Sequence, residues 1–158
     1  MFRELVRKKK QLSHEECMDV LITERRGVLS VIGDMGYPYG TPMNHYYNAE
    51  DGNIYFHCGR LGHRLDALRA CDKVSFCVYE QGTAQDGDWA LNVRSVIVFG
   101  WVEIIDDIEL ISDITARLSR KFTQDEEYIA TEIENFANQT LLLRLIPEHI
   151  CGKLIKES

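Results

Sequence analysis

Residues 39–64 read YGTPMNHYYNAEDGNIYFHCGRLGHR. Tyr39 to Tyr47 and Ile54 to Cys58 are two runs rich in residues favoured in strands. Between them, Asn48-Ala49-Glu50-Asp51-Gly52-Asn53 supplies turn chemistry. The pair therefore reads as an antiparallel hairpin. That reading sets the fold class, because strands in hairpin order build an antiparallel sheet and not a doubly wound parallel layer. Pro42 has no amide to donate, so its strand is expected at an edge or at a break in pairing.

Upstream, Val28 to Gly33 is a β-branched strand bounded by glycines, and Ser13-His14-Glu15-Glu16 is a capping box that opens a helix over 13–24. Downstream, Gly62 to Cys71 spaces Leu65, Leu68 and Cys71 along one side of a short helix, with Arg64 and Arg69 on the other. A strand over Lys73 to Tyr79, a loop at 81–88 and a long β-rich run from Ala90 to Ile105 follow. Asp106 with Glu109 opens a further helix, and Thr123-Gln124-Asp125-Glu126 reads as a second capping box ahead of another. Leu141 to Ile146, a break at Pro147 and a strand over Ile150 to Ile155 close the chain. Six or seven strands in this order, with three or four helices at loops and ends, predict a mainly β, α+β fold: a closed antiparallel barrel with peripheral helices. Residues 1–12 read as a basic extension and 13–155 as a single domain, which suits a chain of 158 residues.

The net charge of −7 argues against nucleic acid as a partner. Locally, Arg60, Arg64, Arg69 and Lys73 outnumber Asp66 and Asp72, forming a basic island that is either an anion site or a solvated helix face. There is no apolar run long enough for a bilayer and no secretory leader, so no membrane association and a cytoplasmic location are expected. The five cysteines lack C-x-x-C spacing and suggest neither a disulfide framework nor a zinc knuckle.

The densest reactive cluster is His57-Cys58-Gly59-Arg60-Leu61-Gly62-His63-Arg64, running from a strand end through glycines into a helix start. Free amides, the helix dipole and a basic first turn suit a phosphate there. His45, His57, His63 and Cys58 lack a second closely spaced pair, so no metal is expected. No G-x-S-x-G elbow, P-loop or Rossmann fingerprint is present.

T-P-M-N-H at 41–45, G-x-I-Y-F-H at 52–57, G-H-R at 62–64, D-K-V-S-F at 72–76 and S-V-I-V-F-G at 95–100 together resemble the pyridoxamine 5′-phosphate oxidase-related flavoproteins, most closely their nitroimidazole-resistance branch. The resemblance implies an FMN-binding split β-barrel working as a homodimer with flavin sites at the subunit interface. It sets Thr41, Pro42, Met43 and Asn44 along the isoalloxazine ring, with His57 and Cys58 lining the ribityl and phosphate side. Gly62, His63 and Arg64 fall at the phosphate, and Ser95 where a polar side chain reaches the flavin. Arg64 stands where lysine is common, which keeps the charge. The vitamin B6 oxidase's substrate-binding tail is missing. The implied activity is electron transfer from a donor such as NAD(P)H to a small acceptor such as a nitroaromatic. The alternative is a module that binds flavin or haem without turnover. No residue is demanded as acid or base; His45, Tyr46 and Tyr47 are candidate proton donors, with packing or interface roles as the plainer reading.

Overall fold

The computed structural model describes residues 1–84, 86–87 and 89–156. It contains α1 (His14–Thr23), β1 (Arg26–Ile32), β2 (Pro38–Asn44), β3 (Tyr46–Asn48), β4 (Asn53–Gly59), α2 (His63–Ala70), β5 (Lys73–Tyr79), β6 (Asn92–Ile105), α3 (Ile108–Ser119), α4 (Glu126–Phe136) and β7 (Thr140–Lys156). All seven strands form one antiparallel sheet in the order β2-β1-β5-β6-β7-β4-β3. The sheet curls until β2 approaches β4. Beyond Tyr55, β4 has β7 on one side and no ladder partner on the other, so two unpaired edges face each other across a seam. This is the split barrel that the family resemblance implies, open along a seam where the hairpin order alone predicts closure.

Alternation along the strands sorts the side chains by face. Leu29, Val31, Phe56, Phe76, Val96, Val98 and Leu143 fill the interior, joined by Val20 and Leu21 of α1 and Leu65 and Leu68 of α2. Phe56 meets Phe76 edge-on, with centroids 4.9 Å apart, a contact worth about 0.5–1.5 kcal/mol beyond its buried area. A second apolar layer lies outside the barrel, where Ile111 and Ile114 of α3 cover Tyr55 and Leu142.

The expected capping box is present, with Ser13 Oγ accepting from the Glu16 amide at 3.2 Å and the Ser13 amide donating to Glu16 at 2.7 Å. Four sequence expectations need correction. The strand read as Tyr39 to Tyr47 is broken at His45: its first part pairs with β1, and only Tyr46–Asn48 forms the hairpin with β4. Burial of His45 breaks it, because the imidazole is fully enclosed and its backbone amide turns to the Arg25 carbonyl at 3.3 Å. Pro147 does not end a strand. It lies in a β-bulge, where Gly100 pairs with Pro147 and Phe99 with His149, and β7 continues past it. Asp107, not Asp106, caps α3, since Asp106 is held by Arg60. Asp125 caps α4 in place of Thr123, whose hydroxyl accepts from the Asp125 amide. Of the loop expected at 81–88, Gln85 and Asp88 lie outside the described residues.

His45 also sets a pH limit. Its Nε2–H donates to the Leu21 carbonyl at 2.8 Å, leaving Nδ1 buried without a partner. Burial, assisted by the positive charge of Lys121, lowers its pKa from 6.5 to about 3 against the opposing pull of the Leu21 bond. The folded value lies below the unfolded one, so as pH falls the unfolded chain takes up the proton first. The resulting stability is complete above pH 6.5 and is lost as pH drops toward 3. Melting temperature is expected to fall across that window, and less steeply in His45→Gln, whose amide still offers Leu21 a donor. Parallel slopes in thermal melts of the two proteins would assign the acid lability elsewhere.

Candidate functional site

The basic island resolves into separate roles. Arg60 pairs with Asp106 and donates to the Asn138 carbonyl at 3.0 Å. Arg69 pairs with Asp66 at 3.1 Å and Lys73 with Glu148 at 2.9 Å. Arg64 alone of the four has no carboxylate partner among the described residues. Its Nη1 donates to Thr41 Oγ1 at 3.1 Å, which ties the start of α2 to the free edge of β2. Its Nε is buried without any partner. A buried guanidinium N–H costs free energy unless it meets an acceptor, so an anion at this point would be favoured.

The surroundings agree with that reading. Gly62 precedes α2 at φ +135, in a region open essentially to glycine alone, and supplies no side-chain cap. The first amides of the helix are therefore left for an outside acceptor. A hollow of about 180 Å³ lies here, bounded by Tyr39, Gly59, Leu61, Gly62, His63 and Arg64. The His63 ring packs on Tyr39 with centroids 4.3 Å apart, and its Nε2 accepts from the Asp34 amide at 3.3 Å.

A second hollow, of about 370 Å³, continues along the seam between Arg26, Pro42, Met43, Asn44 and His57. Arg26 Nε donates to Asn44 Oδ1 at 2.8 Å, which fixes the orientation of that amide. Because β2 is an edge strand, one row of its peptide groups is free to meet a planar heterocycle. An anion cradle and a slot with free backbone donors and acceptors thus share one seam.

The sequence-derived residues do not all converge. Thr41, Pro42, Met43, Asn44, His57, Gly62, His63 and Arg64 line the seam and the hollow at the start of α2. Cys58 and His57 point to opposite faces of β4. Cys58 is buried in the core, where enclosure raises its thiol pKa and Arg64 beside it pulls part of that back. His57 faces outward, and the packing around its ring lowers its pKa. Ser95 stands apart, three strands from β2, donating to the Lys153 carbonyl at 3.4 Å. His45 is a buried packing group. Sequence reading missed Arg26 and Tyr39. Tyr39 has a legible signal, an aromatic two positions before Thr41 on the same edge strand. Arg26 has none, since its place depends on how β1 pairs with β2. No group of three or more His, Cys, Asp or Glu among the described residues could hold a metal, and no helix there is long and apolar enough to cross a membrane.

A seven-stranded split barrel with an anion cradle on its seam defines the class of protein. Similarity in sequence then places it: the chain belongs to the pyridoxamine 5′-phosphate oxidase family, whose model matches residues 13–154. No curated protein matches it in sequence. Among solved structures, a conserved hypothetical protein of Mycobacterium tuberculosis superposes with a TM-score of 0.79 at 21% identity, over 95% of this chain and 90% of that one. A candidate 5-nitroimidazole antibiotic resistance protein of Bacteroides thetaiotaomicron gives 0.74 at 18% identity, over 92% and 87%. An FAD-binding protein of Mesorhizobium loti gives 0.66 at 24% identity, over 92% and 97%. At these identities the likeness is one of fold.

Proposed function

We propose that this protein is a homodimeric FMN-dependent oxidoreductase that passes electrons from NAD(P)H to a small oxidised acceptor. The observation that carries the reading is the partnerless, buried Nε of Arg64 at the start of α2, in line with the unpaired edge of β2. Arg64, the first amides of α2 and Thr41 would hold the phosphate, while Thr41 to Asn44 would lie along the ring. Bound flavin supplies the redox chemistry, and the protein positions it and shapes access to it. Family membership favours FMN, and the compact cradle fits a single phosphate monoester.

The homodimer rests on a second feature. The outer face of β1, β5 and β6 carries Val28, Ile32, Cys77, Tyr79 and Ile97, an apolar surface bordered by Phe99, on which Phe2 stacks. A cytoplasmic home suits five cysteines that are all free thiols.

The protein is expected to purify yellow, to release FMN on denaturation and to sediment as a dimer. Its visible band should bleach on anaerobic mixing with reduced nicotinamide and return when acceptor is added. A colourless protein that does not take up added FMN would overturn the cofactor reading. A yellow protein that never bleaches with reduced nicotinamide would leave a flavin-binding module.

A further inference from the structure

Behind the seam lies a cavity of about 340 Å³ between the end of β4 and the helix pair α3–α4. Its wall is mostly apolar, with Tyr128, Ile129, Ile133 and Phe136 of α4 across from His57 and Gly59 of β4. Two polar groups matter. Thr115 Oγ1 on α3 is buried with no hydrogen-bond partner, although a threonine inside a helix ordinarily bonds back to the carbonyl one turn earlier. Glu132 also lines the cavity, and no lysine or arginine does. His57 is common to this cavity and to the seam hollow beside Met43 and Asn44.

We infer that this cavity is a binding site for a small, planar, uncharged molecule of one or two rings bearing an oxygen acceptor, its oxygen meeting the Thr115 hydroxyl. The volume lies at the lower end of small-ligand pockets and is too small for a dinucleotide. The apolar wall suits a ring. The orphan hydroxyl needs an acceptor, because a buried donor left unmet is costly. Glu132, with no lysine or arginine beside it on the lining, disfavours carboxylates and phosphate esters at this position. Resting on the reading above, this occupant is the electron acceptor, seated behind His57 and separate from the anion cradle.

Calorimetric titration tests the site with two probes of one shape, neutral 2-acetylnaphthalene and anionic 2-naphthoate, on the protein with and without FMN. The ketone is expected to bind one per chain and the carboxylate at least tenfold more weakly. Thr115→Val, which keeps the side-chain shape, should weaken the ketone about fivefold. Ile133→Trp, at a partly exposed position that tolerates size, should abolish its binding, with circular dichroism confirming the fold. FMN affinity should be unchanged in both variants. Absence of ketone binding, equal affinity for the two probes, or unaltered ketone binding in both variants would each overturn the site. Failure of FMN to bind while the ketone does would overturn the flavin reading and leave the cavity assignment standing.

Discussion

Arg64→Ala is expected to weaken FMN retention roughly 10- to 150-fold, the loss of a charge-assisted phosphate contact of about 1.5–3 kcal/mol. The size of the effect follows from the geometry. The guanidinium is anchored at one end by Thr41, lies beside Cys58 and keeps Nε buried with no partner. It is already held in place, so little side-chain entropy remains to be lost on binding. Arg64→Lys should fall between the two, because an ammonium supplies charge without the planar fork. Arg69→Ala serves as control: it lies on the same helix and its Nη1 bonds Asp66. Fluorescence titration of apoprotein with FMN checks the series, and equal affinity in Arg64→Ala and the parent would place the phosphate elsewhere.

The second large effect concerns the frame. A Cβ on Gly100 would lie 2.1 Å from the Ile146 carbonyl oxygen and 2.9 Å from Leu145 Cδ1. The first contact is with backbone inside the β6–β7 ladder, which cannot swing aside as a side-chain tip can. Gly100→Ala is expected to cost roughly 3 kcal/mol or more, lowering the melting temperature on the order of 6–12 °C. Gly59→Ala is the matched control, since nothing lies within 4 Å of its Cβ position. Thermal melts of the two variants decide the matter, and a Gly100→Ala protein melting with the parent would contradict the close approach.

Much of the fold was legible because its signals are local. The capping box at Ser13, the turn residues at 48–53 and the alternation over Lys73–Tyr79 each depend on a few neighbouring residues. The anion cradle was legible for the same reason, since glycines, helix start and basic charge fall within one short loop. What was hidden is long-range. Strand β2 pairs with β1 because His45 is drawn into the core, and nothing in the 39–47 run announces that. Pro147 stays inside β7 because Gly100, on another strand, faces it in the bulge. Charge counting saw four bases in the island; Arg60 and Lys73 are neutralised by Asp106 and Glu148, distant in sequence. The cavity behind His57 is made by α3 and α4 meeting β4, a juxtaposition no linear pattern records.

The sheet order has a further consequence, for the growing chain. Strand β7 follows every other strand in sequence yet lies inside the sheet, between β6 and β4. Until it emerges during synthesis, β3 and β4 have no link to the rest of the sheet, and both long edges stay exposed. Barrel closure is therefore a late event governed by pairings distant in sequence, the kind that folds slowly and leaves sticky intermediates. Nascent chains stalled before residue 140 should present those open edges to chaperones, although most of the site's residues have already been made.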